Sequence, residues 1–380
     1  MPIDPRVERA DTVAVFVHGV GAHDARKMTA SAERGFWDAD DSRAPDARTC
    51  DLRIELGCGV PGPKDEPNAF AIRAGGETHV VVPVVWCNFR SRIVADEVSD
   101  GLLRALTDSP AGPLIGFTRA VPRLLDVCSD ALECANVAAT SFQRLLLRVA
   151  VAVIVAAAGV ACLFVLFAVV APLLLGLGII GTFASDLFSD GRVLAAAMLA
   201  TVVLAAWSKL VLSPYDYIGD VASYVASDSF REAAARQFAS VLRHVAEQAP
   251  NARIVVVGHS LGSVLVSHAL LNAQLKDGRK PVLVTLGSPL ARMSRWFPHL
   301  RAPQQLLLAY RDRNLVEKWY HFWREGDYIG GALMPNRSDE LYAEKPLGPG
   351  GHADYWGDER LWRELVIALR DRAAVRRDVA

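Results

Sequence analysis

The stretch IVVVGHSLGSVL, Ile254 to Leu265, decides the fold of this chain. Four β-branched residues, Ile254 to Val257, run straight into Gly-His-Ser-Leu-Gly. Beyond the turn, Val264, Leu265, His268 and Leu271 fall on one helical face. A strand, a tight turn and a helix are thus compressed into a few residues. Gly258 and Gly262 flank Ser260 and remove the two side chains that would clash inside such a turn. The arrangement lifts a serine hydroxyl clear of the end of a sheet.

Working outward, the same alternation recurs. TVAVFVHG (Thr12 to Gly19), PVLVTLGSP (Pro281 to Pro289) and VEKWYHFW (Val316 to Trp323) are short apolar or aromatic runs. HVVVPVVWCNF (His79 to Phe89) is another, and its Pro83 predicts an edge strand or a bulge. Between strands lie amphipathic stretches. In REAAARQFASVLRHVAEQ, residues Phe238, Val241, Leu242 and Val245 form one stripe. Continuous apolar strands alternating with helices predict an α/β fold, a mostly parallel sheet covered on both faces. The region from about Asp40 to Gly76, rich in Gly, Pro and charge, reads as a long surface excursion.

One block does not fit a soluble α/β domain. From Val149 to Ile180 there is no charged residue. At about 1.5 Å per residue that run would make a helix of nearly 50 Å, whereas a bilayer core needs only ~20 residues. Pro172, Gly176, Gly178 and Gly181 mark where it should kink or end. After a polar stretch, Val193 to Leu212 forms a second apolar run with Trp207 and Lys209 near its end. We therefore expect an N-terminal part of the α/β domain over 1–141, a transmembrane helical hairpin over 142–213, and a C-terminal part over 214–380. The spans fall at about 149–171 and 193–212, with Pro172–Ile180 either extending the first span or lying at the interface. The other reading is a helical hairpin buried in a soluble core. Strands on both sides of the block must join one sheet, so the number of crossings is even.

Arg144 and Arg148 precede the first span, and the loop carries Asp186, Asp190 and Arg192. The positive-inside rule then places the globular part in the cytoplasm, on the inner membrane of a multi-pass protein. The N-terminus has no secretory h-region. Between Gly101 and Arg148 we expect two or three amphipathic helices. Among them GPLIGFTRAVPRLLDV suits lipid or substrate contact, or simple packing on the sheet. A net charge of -1 argues against a nucleic-acid partner. The six cysteines are scattered, with no Cys-x-x-Cys pair, and predict neither disulfide frame nor metal site. No cofactor is implied.

A serine hydroxyl is a poor nucleophile at neutral pH. It needs a base, an acid to orient that base, and donors for an oxyanion. With this turn the acid and then the base follow in sequence. Four histidines follow Ser260. His268 lies on the apolar helix face, His299 in RWFPHLRAP, and His321 within a strand. His352 lies in the loop GPGGHADYWGD before a final helix, where a base can reach the serine, and is preferred. For the acid, Asp327 in WREGDYIGG stands just past a strand and ahead of Asp312, Glu325 and Asp354. Oxyanion donors are expected from Leu261, at the start of the helix after Ser260, and from Val20 or Gly19 after the first strand. His18 and His259 are read as supports of these loops.

The motifs VFVHGVG, VVGHSLGS, TLGSPL, WREGDYIGG and GGHADYW, in that order, resemble the α/β-hydrolase superfamily, most closely its lipase and lipase-like esterase branch, including the inositol-deacylase-like group. The resemblance covers about Thr12 to Phe36 and Tyr215 to the end, and leaves the apolar hairpin as an insertion. It implies Ser260 as nucleophile, Asp327 as acid and His352 as base. Two positions depart from the branch. Its lipases often have Asn two residues after the Trp of the acid strand and Pro after the acid, where Glu325 and Tyr328 stand here. The expected partners are a lipid bilayer and an acyl-ester substrate, a lipid first of all. A thioester, an acylated protein or a small soluble ester are alternatives, and a non-catalytic membrane scaffold is a third reading.

Overall fold

The computed structural model describes residues 5–19, 50–52, 69–74, 77–84, 129, 132–149, 151–153, 156, 219–275 and 278–366. The chain divides into two compact units, one joining Met1–Phe89 to Ser229–Ala380, the other Arg90–Asp228.

The first unit is built on one sheet. Its elements in chain order are α1 (Pro5–Glu8), β1 (Thr12–Val17), β2 (Cys50–Leu52), β3 (Ala69–Ala74), β4 (Glu77–Val84), α2 (Asp228–Gln248), β5 (Arg253–His259), α3 (Leu261–Ala269), β6 (Val282–Leu286), α4 (Leu290–Trp296), α5 (Pro303–Asp312), β7 (Lys318–Trp323), β8 (Tyr342–Pro346), and a last helix α6 over 359–366. The strand order is β2-β3-β4-β1-β5-β6-β7-β8. From β4 to β8 every pairing is parallel, while β3 and β2 continue the sheet antiparallel.

The β-branched runs form the middle of this sheet because both of their faces are covered. Every residue of β1 and β6 is buried, as is β5 after its first residue. Phe16, Val255, Val257, Val284 and Phe322 form one side with Leu361, Trp362 and Leu365 of α6. The alternate residues Val15, Val256 and Leu283 are equally buried. Each such side chain contributes about 1.5–3 kcal/mol by leaving water. The stripe Phe238, Val241, Leu242 and Val245 is the buried face of α2.

Register decides where the chemistry sits. His259 pairs with Leu286, and Leu286 with Phe322, so β5, β6 and β7 end level with one another. Val17 pairs with Gly258, which brings the end of β1 to the same edge. Four loops therefore open together at the C-terminal end of the sheet, as expected for a parallel α/β layer.

Three sequence expectations are amended. Pro83 does not mark an edge: β4 is flanked by both β3 and β1. Pro83 lies beyond the last β3 partner pair, Phe70 with Val81, so its missing N–H interrupts no β3 ladder bond. The region read as a surface excursion supplies β2 and β3 through its short runs CDL and AFAIRA. The edge strand β8, YAEKP, gave no apolar signal because it is charged and half-exposed, as edges often are.

In the second unit the described helices cover 132–136, 141–149 and 219–226. Thr140 caps the helix at 141: its hydroxyl accepts the Gln143 N–H at 3.2 Å, and its own N–H donates to Gln143 Oε1 at 3.0 Å. Phe142, Leu145, Leu146 and Val149 are exposed along this helix. Among the described residues no helix is long and apolar enough to cross a membrane. The expected spans at 149–171 and 193–212 lie outside the described residues, apart from 149, 151–153 and 156. The stretch 112–127, considered for lipid contact, also lies outside them.

Candidate active site

Ser260 joins β5 to α3 with φ 54° and ψ -131°, a backbone region that residues with a side chain rarely adopt. Such a conformation costs on the order of 1–3 kcal/mol and needs support from its surroundings. The support is close packing. A Cβ on Gly258 would lie 2.6 Å from Ser263 Cα, and one on Gly262 would lie 2.0 Å from the His18 carbonyl oxygen. The Ser260 N–H donates to Leu286 O at 3.0 Å, tying the turn to β6. The Ser263 hydroxyl donates to Ser260 O and lies 2.6 Å from the Ser288 hydroxyl.

His352 Nε2 lies 2.8 Å from Ser260 Oγ. Its Nδ1 lies 2.9 Å from both carboxylate oxygens of Asp327. An ionised carboxylate only accepts, so Nδ1 carries the proton and Nε2 presents a lone pair to the serine hydroxyl. Residues 92 and 25 positions apart in sequence thus form one relay.

Asp327 is 4% exposed, and burial pushes its carboxyl upward. The hydrogen bonds from His352, the Gly330 amide and the Tyr355 hydroxyl outweigh that and hold it at about 2. Oδ1 accepts the Ile329 and Gly330 amides at 2.9 and 2.8 Å, and Oδ2 accepts Tyr355 OH at 2.8 Å. The carboxylate is therefore anionic throughout the neutral range and anchored from every side. Room for it is made by Gly330 and Gly287, where an added Cβ would lie 2.6 and 2.7 Å from Oδ2.

Of the candidate oxyanion donors, Leu261 and Gly19 are described and Val20 is not. Leu261 is the first residue of α3, directly after Ser260, so its N–H has no intrahelical acceptor. Gly19 is pressed against the serine: a Cβ there would lie 2.6 Å from Ser260 Cβ and 3.1 Å from Oγ. Val20 lies outside the described residues. His18 is buried, with its carbonyl against Gly262. His259 Nε2 donates to the His352 carbonyl at 3.0 Å, with the two rings 4.9 Å apart.

The rival residues have other employment. His268 Nδ1 donates to Val264 O at 2.8 Å, and its Nε2 accepts the Arg301 N–H at 3.2 Å. Burial brings its pKa down to about 4, so it is neutral. His321 is fully buried in β7, 2.9 Å from Thr285 Oγ1, and donates from Nε2 to Gly331 O at 2.8 Å. Burial also lowers its pKa. It braces the loop that carries Asp327 and does not reach the serine. His299, Asp312 and Glu325 are exposed. Asp354 accepts the Gly351 amide at 2.6 Å.

Two residues of the site gave no sequence signal as participants. Tyr355 touches the acid directly. Arg324, 3% exposed, binds the backbone around His352. Tyr355 follows His352 by three residues in GGHADYW, the one local hint available. Among the described residues no cluster of His, Cys, Asp or Glu could hold a metal ion.

Residues 196–329 match the family model described as lipase (class 3). The matched region contains Ser260 and Asp327, begins after β1 and stops short of His352. Comparison with curated proteins found no match, and neither did comparison with solved structures.

Proposed function

We propose that this chain, a lipase-like serine ester hydrolase with the α/β-hydrolase fold, cleaves lipid esters through an acyl-enzyme at Ser260 while anchored in the cytoplasmic membrane. The observation that carries the mechanism is the unbroken relay from Ser260 Oγ through His352 to Asp327. Ser260 Oγ attacks the ester carbonyl carbon as its proton passes to His352 Nε2. The carbonyl oxygen becomes an oxyanion, stabilised by the Leu261 N–H and a second amide from the loop after β1. Collapse returns that proton to the departing alcohol and leaves the acyl group on Ser260. Water then repeats the sequence, with His352 as base, and releases the carboxylic acid.

Anchoring rests on the two long apolar runs, Val149–Ile180 and Val193–Leu212. Held at the bilayer, the enzyme meets long-chain esters where they are concentrated. The arginines ahead of the first run favour a cytoplasmic globular part.

The test is covalent labelling with a fluorophosphonate in detergent, on wild type, Ser260→Ala and His352→Ala. Wild type alone should label, and it should release fatty acid from a panel of acylglycerols and phospholipids. A folded wild type that neither labels nor hydrolyses would remove the catalytic reading. Extraction of the protein from membranes by alkaline carbonate would remove the anchor.

A further inference from the structure

The loop that carries His352 has little structure of its own. It runs Gly348-Pro-Gly-Gly-His, then passes through turns over 352–357 before α6 begins. Its geometry has to come from outside, and much of it comes from Arg324, the first residue after β7. Arg324 Nη1 donates to Pro349 O at 2.9 Å. Its Nη2 donates to Asp354 O at 3.2 Å and to the Asp358 carboxylate. These acceptors lie on both sides of His352 in sequence. Gly350 is shaped to this contact, since a Cβ there would lie 2.1 Å from Arg324 Nη1.

The same guanidinium reaches the acid. Its central carbon stands 5.3 Å from the centroid of the Tyr355 ring, whose hydroxyl donates to Asp327 Oδ2. A cation over an aromatic face is attracted by the ring, more so when desolvated. One side chain therefore touches the base-bearing loop directly and the acid at one remove, without touching Ser260 or His352 itself. Burying a guanidinium is unfavourable before its partners are counted. Stability alone would be served as well by an apolar residue of that size. What an apolar residue cannot do is hold two carbonyls and a carboxylate at fixed angles from a planar fork.

We propose that Arg324 is a positioning residue for the proton relay, setting the distance of His352 from Ser260 and, through Tyr355, the orientation of Asp327. The proposal rests on the Ser260–His352–Asp327 reading of the site. An error of about 1 Å in such a relay costs on the order of 100-fold in rate.

The test compares Arg324→Lys, Arg324→Ala, Asp358→Asn and Tyr355→Phe in the full-length protein in detergent. The substrate is p-nitrophenyl butyrate, with thermal unfolding measured in parallel. Lys keeps the charge and loses the fork, so kcat should fall about 100-fold while KM stays within about twofold. Fluorophosphonate labelling should slow by the same factor. Tyr355→Phe keeps the ring and loses one hydrogen bond to a charged group, so kcat should fall about 10-fold. Added guanidinium should restore part of the rate of Arg324→Ala. If that variant does not fold, Asp358→Asn, which loosens only one branch of the fork, should show a smaller fall in kcat with KM unchanged. Wild-type kcat in both Arg324→Lys and Asp358→Asn, with only the unfolding temperature lowered, would sink the proposal and leave the triad standing. An inert wild type would take the triad down first and this proposal with it.

Discussion

Ser260 and His352 meet at 2.8 Å but are held there by opposite means. The serine is fixed by backbone: a positive φ, a hydrogen bond from its N–H to β6, and glycines packed against main-chain atoms. The histidine is fixed by side chains from elsewhere: Asp327 at its ring, His259 at its carbonyl, and Arg324 on both flanks of its loop. A backbone device is compact in sequence and intolerant of any added atom. A side-chain device is scattered in sequence and can yield by degrees. The two halves of one site should therefore fail differently.

The largest effect should come from Ser260→Ala, which removes the proposed nucleophile and leaves the turn intact. We expect hydrolysis to fall about 10⁶-fold with unfolding temperature unchanged or raised. Next is Asp327→Asn. The carboxylate accepts from four donors, and an amide would set its own N–H against one of them. A fall of about 10⁴-fold in kcat is expected. Gly262→Ala probes the backbone device. Its Cβ would overlap the His18 carbonyl, which belongs to a buried main chain and has nowhere to go. Destabilisation of about 3 kcal/mol should show in thermal unfolding, together with loss of labelling. Gly351→Ala is the matched probe of the other half. Its Cβ would lie 3.2 Å from Asp354 Oδ2, the end of an exposed side chain. A change within about 0.5 kcal/mol is expected, and a larger one would erase the contrast.

Acid sharpens the comparison further. Asp327 is held at about 2 in the folded protein, below the ordinary carboxylate value of roughly 3.9 in an unfolded chain. Its contribution to stability is complete above that ordinary value and is lost as pH falls toward 2. Wild type should lose thermal stability more steeply than Asp327→Asn across that window, as followed by circular dichroism. Parallel curves would mean the carboxylate is not held as its hydrogen bonds imply.

The same contrast explains what could be read from sequence. The turn at Ser260 was legible because its requirements are local: β-branched residues before it, and glycines where a Cβ cannot fit. The strands β1, β5 and β6 were legible because both of their faces are buried and their residues say so, and β7 because its aromatic run buries Trp319 and Phe322. Asp327 and His352 could be placed by the order that the chemistry imposes and by the glycines that flank them. Arg324 and Tyr355 could not, since nothing in WREGD or ADYW announces that they meet over Asp327. The strands β2, β3 and β8, at the two margins of the sheet, escaped for a related reason. Their pairing is carried by backbone, which any sequence supplies.

The placement of β1 has a consequence in time. It lies between β4 and β5, with Thr12 beside Arg253, so one of its two neighbours is encoded some 240 residues later. A ribosome adding about 5–20 residues per second needs on the order of 10–50 s to deliver that neighbour. Throughout that interval the most apolar strand near the N-terminus has one open edge, and the residues 90–228 emerge while it waits. Gly19, just past the end of β1, cannot take its place against Ser260 until the second half of the sheet has arrived. Catalytic competence is therefore among the last properties this chain acquires.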